Sequence, residues 1–332
     1  MVSSSSLVEM PDNILNEILA YCDFKDILSI RKVCRSLQHF IDDVFPESTL
    51  KDLNISIHPK KVCLDYFSVH NTPYIIEYHK TFGNHCMVKC QTTIKVIENS
   101  NFLDVFLRDL EIVLMHQKSL IRLIRIVRYE DNSFEYFLEN FKKLLHRPLK
   151  IEEFHMYVKD NQNEILAVLP HLDPQSIIGI SLYQYGEDPK NLEIGEIVKL
   201  EHWKRSEQLH VDKCILKMNV RHLANFSLVD ISMASVSAEE MMVLKEKLLY
   251  HPLLAEIYIR CTRFDDKQQF LESLGIKEVS SELYGIARRI WHLEIPNSDD
   301  VLRISYRSQN NSFAFNRVQR SEVTDHAEVL NL

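Results

Sequence analysis

The sequence predicts an α+β chain: three short helices, then a short run of antiparallel strands, then a longer α/β body ending in a hairpin. Three observations carry that reading. Apolar residues recur at helical spacing near the start, as in Ile14, Leu15, Ile18 and Leu19. From about residue 50 to 97 apolar and polar residues alternate, as in Val62-Cys-Leu-Asp-Tyr-Phe67 and Tyr74-Ile-Ile-Glu-Tyr78. From about residue 100 onward, helix-like and strand-like segments take turns.

Taken in order, residues 1–6 are serine-rich and expected to be disordered. Pro11 suits a first helical position and Asp12 the positive end of a helix dipole. Asp23 is placed to cap a second helix carrying Ile27, Leu28 and Ile30. A third helix carries Val33, Leu37, Phe40 and Ile41, and Pro46 ends the run, so the helical domain is placed at 7–45. Residues 46–97 are read as short antiparallel strands, and residues 98–318 as the α/β body. Its helices are expected at 102–115, 133–146, 161–169, 193–205, 238–250 and 265–274. Its strands are expected at 123–127, 154–158, 178–183, 209–212, 226–231 and 256–260. Ser237 and Glu240 have the spacing of a capping box. The strands begin 17 to 31 residues apart, a leucine-rich-repeat-like spacing. Units of that size bury their apolar faces only by stacking on neighbours. A hairpin around Pro296 joins 289–295 to 301–306, and the polar tail 319–332 is expected to be flexible.

Composition narrows the chemistry. Only 6 of 332 residues are glycine, where roughly 7% average usage would give about 23. No two lie at the spacing of a phosphate-cradling loop or a nucleophile elbow, which need glycine for close backbone approach or positive φ. The net charge is −8, opposite to the balance of a nucleic-acid binder. The first 45 residues carry four basic against seven acidic side chains, which also argues against a DNA-reading helix-turn-helix. No window is long and apolar enough for a membrane span and the start is not a signal peptide. Seven scattered cysteines then read as reduced thiols, and the expected location is cytoplasmic or nuclear.

Against this background the N-terminal residues carry a resemblance. Leu7-Val-Glu-Met-Pro-Asp-Asn-Ile-Leu-Asn-Glu-Ile-Leu-Ala-Tyr21 and Phe24-Lys-Asp-Ile-Leu-Ser-Ile-Arg-Lys-Val-Cys-Arg-Ser-Leu37 resemble an F-box. Met10 stands where the family usually has leucine, and Leu37 where many members have tryptophan; both remain apolar. Phe106-Leu-Arg-Asp-Leu110, Gln117-Lys-Ser-Leu120, Leu200-Glu-His-Trp-Lys204 and Ser237-Ala-Glu-Glu240 make the body, over about 95–255, similar to the FTH domain that follows the F-box in a large nematode family. The hairpin at Pro296 looks like that family's C-terminal extension. The resemblance implies docking on a Skp-family adaptor, and through it a cullin, in a ubiquitin ligase. Met10, Pro11, Ile14, Leu15, Ile18 and Leu19 would carry that docking, with Leu28, Ile30 and Val33 supporting. It further implies that the body recruits a protein substrate, without catalysis, cofactor or metal. A scaffold whose N-terminal helices merely pack in cis is the alternative.

Other constellations are weaker. His85-Cys86-x-x-x-Cys90 has a metal-like spacing, but in a strand residues four apart lie ~13 Å apart, too far to share a zinc ion. Arg122, Arg125 and Arg128 read as a solvated face or as a site for an acidic motif. Trp203 reads as a helix residue packing on a neighbouring strand. Period-two alternation, with Phe154, Met156 and Val158 inward, turns His155 and Tyr157 outward. The same rule turns Ser181, Tyr183, His210, Asp212, Tyr258 and Arg260 outward. Tyr157, Tyr183, His210, Asp212, Tyr258 and Arg260 are therefore the candidate substrate-binding residues.

Overall fold

The computed structural model describes residues 7–44, 46–47, 49–68, 73–129, 133–159, 161–186, 188–274, 279–283, 286–323 and 329–330. The expected disorder of 1–6, and the tail residues 324–328 and 331–332, lie outside this set. The architecture is mixed α+β, in two compact units: Met1–His155 with Ala167–Ser176, and Met156–Leu166 with Ile177–Leu332.

The first unit opens with α1 (Asp12–Ala20), α2 (Phe24–Arg31) and α3 (Arg35–Val44). The Asp23 carboxylate caps α2 by accepting from Asp26 N at 2.9 Å. A two-pronged Arg31–Asp42 pair, at 2.6 and 2.9 Å, ties α2 to α3. Pro11 stands at the cap of α1 rather than inside it, and Val33 lies in the turn before α3 rather than within it.

The strands β1 (Leu50–His58), β2 (Lys61–Ser68), β3 (Pro73–Lys80), β4 (Cys86–Cys90) and β5 (Thr93–Ile97) form an antiparallel meander. Then follow α4 (Phe102–His116), β6 (Ile121–Arg128), α5 (Ser133–Leu144) and β7 (Ile151–Val158). β6 pairs in parallel with the free edge of β1, Ile55 opposite Ile126. The 46–97 segment is therefore part of a mixed sheet and not a sheet by itself. Leu53, Ile55, Ile57, Val62, Leu64 and Tyr78 are fully buried on the face that α4 and α5 cover. Phe106 of α4 meets Tyr78 edge-on at 5.8 Å and Phe137 of α5 at 6.0 Å. The Tyr78 hydroxyl, buried by the same packing, donates to Asp109 at 2.8 Å.

The second unit contains α6 (Gln162–Leu166), β8 (Gly179–Gln184), β9 (Lys190–Glu193), α7 (Glu201–Arg205), β10 (Gln208–Lys217), β11 (Leu228–Ser237), α8 (Ala238–Leu249), β12 (Glu256–Asp265) and α9 (Lys267–Ser273). β10 pairs in parallel with β8, β9 and β11, and β11 with β12. Leu209, Val229 and Ile257, adjacent in register, are buried on one face. The capping box at the start of α8 is present, Glu240 N donating to Ser237 Oγ at 3.2 Å and Ser237 N to Glu240 at 3.0 Å. The chain closes with β13 (Val279–Leu283), β14 (Ile286–Glu294), β15 (Asp300–Arg307), β16 (Ser312–Gln319) and β17 (Val329–Leu330).

Several expectations need correction. The helix expected at 193–205 is three pieces: the end of β9, a short 3-10 turn at Ile197–Lys199, and α7. Glu193 leaves the helical pattern because it pairs with Lys217 in the sheet, and extended Leu200 separates the turn from α7. The helix expected at 161–169 stops at Leu166, shortly before Pro170. The C-terminal hairpin β14–β15 gains a third strand, β16, which pairs antiparallel with β12, Ile259 opposite Phe313. Within the tail, the described residues make contacts with the body: Arg320 reaches Glu294 at 2.8 Å, and β17 pairs with β14.

The glycine shortage leaves a mark on the turns. Among the described residues eight non-glycine positions have positive φ, and four are asparagine: Asn84, Asn99, Asn297 and Asn311. A short polar side chain that bonds locally tolerates this left-handed region best after glycine. Asn297→Ala should therefore destabilise by about 1–2 kcal/mol, while Asn297→Gly stays within about 1 kcal/mol of the parent. Urea unfolding of the two variants checks this, and equal midpoints would contradict it.

His58, His116, His171, His222 and His292 all have pKa values below the ordinary imidazole value, burial being the first cause in each. Their folded pKa lies below the unfolded one, so they contribute stability above about pH 6.5 that is lost as pH falls through the folded values. The melting temperature is expected to drop between about pH 7 and pH 5, before most carboxylates titrate. A flat profile over that interval would rule this out.

Candidate protein-docking surfaces

The three N-terminal helices have a core of their own. Leu19, Ile27 and Ile41 meet at its centre, with Cys22, Ile30 and Phe40 packed around them. Leu15 is buried as well. Leu15 and Leu19, expected at the docking surface, are therefore interior residues. They lie one helical turn apart on the inward side of α1, whereas Ile14 and Ile18 lie about 100° round the axis. Val33 is 70% exposed, Tyr21 92% and Ile14 37%. Pro11 is exposed too, while Met10, Ile18, Leu28 and Ile30 are half-buried. Tyr21, just past the last residue of α1, is not among the expected residues, although it continues the i, i+4, i+7 spacing of Ile14 and Ile18.

These helices also pack on the first unit's sheet, by a different residue. Phe24 lies 4.7 Å from the Tyr66 ring and 6.4 Å from Tyr74. The link that follows is pinned. The Glu47 carboxylate accepts from Lys118 N at 3.0 Å, Ser119 N at 3.1 Å and Ser119 Oγ at 3.0 Å. Gln117 accepts from Leu50 N at 3.0 Å, and buried His116 meets the Pro46 carbonyl at 3.3 Å. The Gln117-Lys-Ser segment thus anchors the chain where the helices meet the sheet.

In the second unit, the polar face of the parallel strands gathers five of the six proposed substrate residues. Tyr157 stacks on Tyr183 at 5.0 Å and on Tyr185 at 4.7 Å. Tyr183 meets the His210 ring at 5.6 Å, and His210 approaches Asp230 at 3.8 Å. Arg260 donates to Asp230 at 2.8 Å and to Ser232 at 3.0 Å, and lies over the Tyr258 ring. Asp212 is exposed and stands opposite Tyr183 in register, beside a break in the β10–β11 ladder where Lys213 has φ 59. Two members of the row were missed. Applying the same alternation to Val229 and Ile231 finds Asp230; Tyr185 lies past the end of β8, where alternation no longer applies.

The remaining motifs resolve individually. Arg122, Arg125 and Arg128 do not share one face, because they lie in a strand: Arg122 pairs with Asp52 at 2.5 Å, and buried Arg128 stacks over Phe134. Cys86 and Cys90 are the ends of β4. Burial pushes the thiols of Cys86 and Cys261 up to about 11 and that of Cys214 up to about 12, so they stay protonated at neutral pH. Trp203 is buried edge-on against Phe226 at 5.2 Å, and its Nε1 donates to the His222 carbonyl at 2.9 Å. Among the described residues no helix is long and apolar enough to cross a membrane.

The fold thus defines a small helical module joined to a mixed α/β body, each with an exposed surface of its own. Residues 7–47 match the family model of the F-box domain, and residues 131–274 that of the FTH domain. The chain is an F-box protein with a C-terminal FTH domain. The FTH match starts later than the sequence reading placed it, so Phe106–Leu110 and Gln117–Leu120 precede it while Trp203 and Ser237 fall within it. No curated protein and no solved structure matches the chain. F-box domains generally bind Skp-family adaptors and through them cullins, and neither F-box nor FTH is an enzymatic domain family.

Because Ile41 is fully buried, Ile41→Ala should cost about 2–5 kcal/mol. Ile14→Asp and Val33→Asp, at exposed positions, should each stay within about 0.5 kcal/mol. Chemical denaturation of the three variants checks the contrast; a loss at Val33 as large as at Ile41 would show that it too is core.

Proposed function

We propose that this chain is the substrate-recruiting subunit of a Skp–cullin–F-box type ubiquitin ligase. The observation that carries the reading is the set of apolar side chains left outward on a helical module whose core is already complete. Pro11, Ile14 and Val33, with the half-buried Met10, Ile18, Leu28 and Ile30, are the adaptor-binding residues. Burying one such side chain is worth ~1.5–3 kcal/mol at most, against an association cost of roughly 4–15 kcal/mol. Several anchors must act together, and losing two abolishes binding.

The body would hold a protein substrate on the row formed by Tyr157, Tyr183, His210, Asp212, Tyr258 and Arg260. Tyrosine and arginine are enriched among residues that dominate interface energies. The parallel strands β8, β10, β11 and β12, starting at residues 179, 208, 228 and 256, support a leucine-rich-repeat-like reading of this body. The work is done by proximity, without chemistry of its own, in the cytoplasm or nucleus. The cis-packed scaffold is favoured by one contact, Phe24 on Tyr66, but that contact leaves Ile14 and Val33 unused.

Capture of a Skp-family adaptor by the full-length chain tests the first half. The parent should retain the adaptor and the Ile14→Asp, Val33→Asp double variant should lose it; equal capture, or none by the parent, sinks the adaptor reading. For the second half, alanine at Tyr157, Tyr183 and Tyr258 should keep the adaptor. The same variant should lose the neighbours that proximity labelling detects under proteasome inhibition.

A further inference from the structure

The second unit carries a groove of about 920 Å³ that the sheet face does not use. Trp203, Val198 and Ala224 form part of its lining, and its walls come from α7, α8 and the turns before α7 and β11. Four cations line it, Lys199, Lys204, Arg221 and Lys247, against one carboxylate, Glu246. In a chain with 39 basic and 47 acidic residues this is a local reversal of charge.

The cations are available. Among the described residues Lys199 and Lys204 pair only with Glu196 at 2.6 Å and Glu201 at 2.8 Å, both exposed. Surface pairs of this kind are worth ~0–1 kcal/mol and yield to a better partner. Among the described residues the Arg221 and Lys247 side chains make no ion pair. Both act on one imidazole: His222 has a lowered pKa, first through burial and then through Arg221 and Lys247. Lys204 and Lys247 sit in the last turns of α7 and α8, where each helix end contributes about −0.5 charge. Those ends, Glu246 and the two paired glutamates offset much of the charge of the four cations, so the positive charge the groove can offer a ligand rests chiefly on Arg221 and Lys247.

We propose that this groove binds an acidic, carboxylate-rich segment of a partner protein, with Tyr250, 70% exposed at the groove, providing an apolar contact. Carboxylates are favoured over a phosphate group for two reasons. Three of the four cations are lysines, point charges spread over several elements rather than converging guanidinium forks. The groove also meets helix C-termini, so it lacks the backbone N–H cradle that helix N-termini offer phosphate. None of the sheet-face residues takes part, so this inference and the proposed substrate row fail independently.

The test is fluorescence anisotropy on the full-length chain with a labelled short peptide of Glu and Asp around a central leucine. Saturable binding is expected, weakening at least tenfold in the Arg221→Glu, Lys247→Glu double variant and on raising salt from about 0.05 to 0.3 M. Lys95→Glu, an equal kind of charge change on exposed β5, should leave binding unchanged. Should the double reversal fail to fold, Arg221→Gln with Lys247→Gln provides the same comparison with a smaller expected loss. The proposal is overturned by no saturable binding, by equal binding of a Gln/Asn version of the peptide, or by variants that bind like the parent. Tighter binding of a peptide whose only anion is one phosphoserine would overturn the carboxylate assignment.

Discussion

The central strands of both units hide one face, and the placement of the surfaces follows from that. In the first unit β1 lies between β2 and β6, and its Leu53, Ile55 and Ile57 are fully buried. In the second, Leu209, Val229 and Ile257 do the same across β10, β11 and β12. Because side chains alternate along a strand, burying these residues forces Tyr183, His210, Asp230 and Arg260 onto the opposite face, where they meet each other. A shift of register by one residue would move the whole aromatic and charged row into the core.

A second dependence concerns the helical module. Its interior is closed by Leu19, Ile27 and Ile41, so its outer apolar residues are surplus to its own folding. Glu47 and Gln117 hold the following segment to the sheet through hydrogen bonds to backbone and Ser119. Such bonds are directional, and the Glu47 bonds are charge-assisted, so they orient as well as attach. The module is thus presented at a set position on the first unit.

Much of this was legible in the residues. Asp23 and Ser237 announced their helices because capping chemistry is local. Tyr157, Tyr183 and Tyr258 on the sheet face followed from alternation alone. What was not legible depended on partners distant in sequence. Leu15 and Leu19 looked available because a helical stripe does not say which part of it an adjoining helix covers. Residues 193–205 looked helical because nothing in them reveals that Glu193 pairs with Lys217. The arginines at 122, 125 and 128 looked like one face because i, i+3 spacing means neighbours only on a helix.

The scarcity of glycine shows the division most plainly. By itself the sequence determined that no two glycines have the spacing of a phosphate loop or nucleophile elbow, that the first helices and the F-box signature coincide, and which strand residues face away from the core. Those are properties of spacing and backbone sterics, which act over a few residues. Only the tertiary structure decided that asparagine takes up left-handed turns such as Asn297 and Asn311, that β16 returns to pair with β12, and that four cations from separate elements line one groove. Those outcomes depend on which distant segments are brought into contact, and that is set by burial summed over the whole chain.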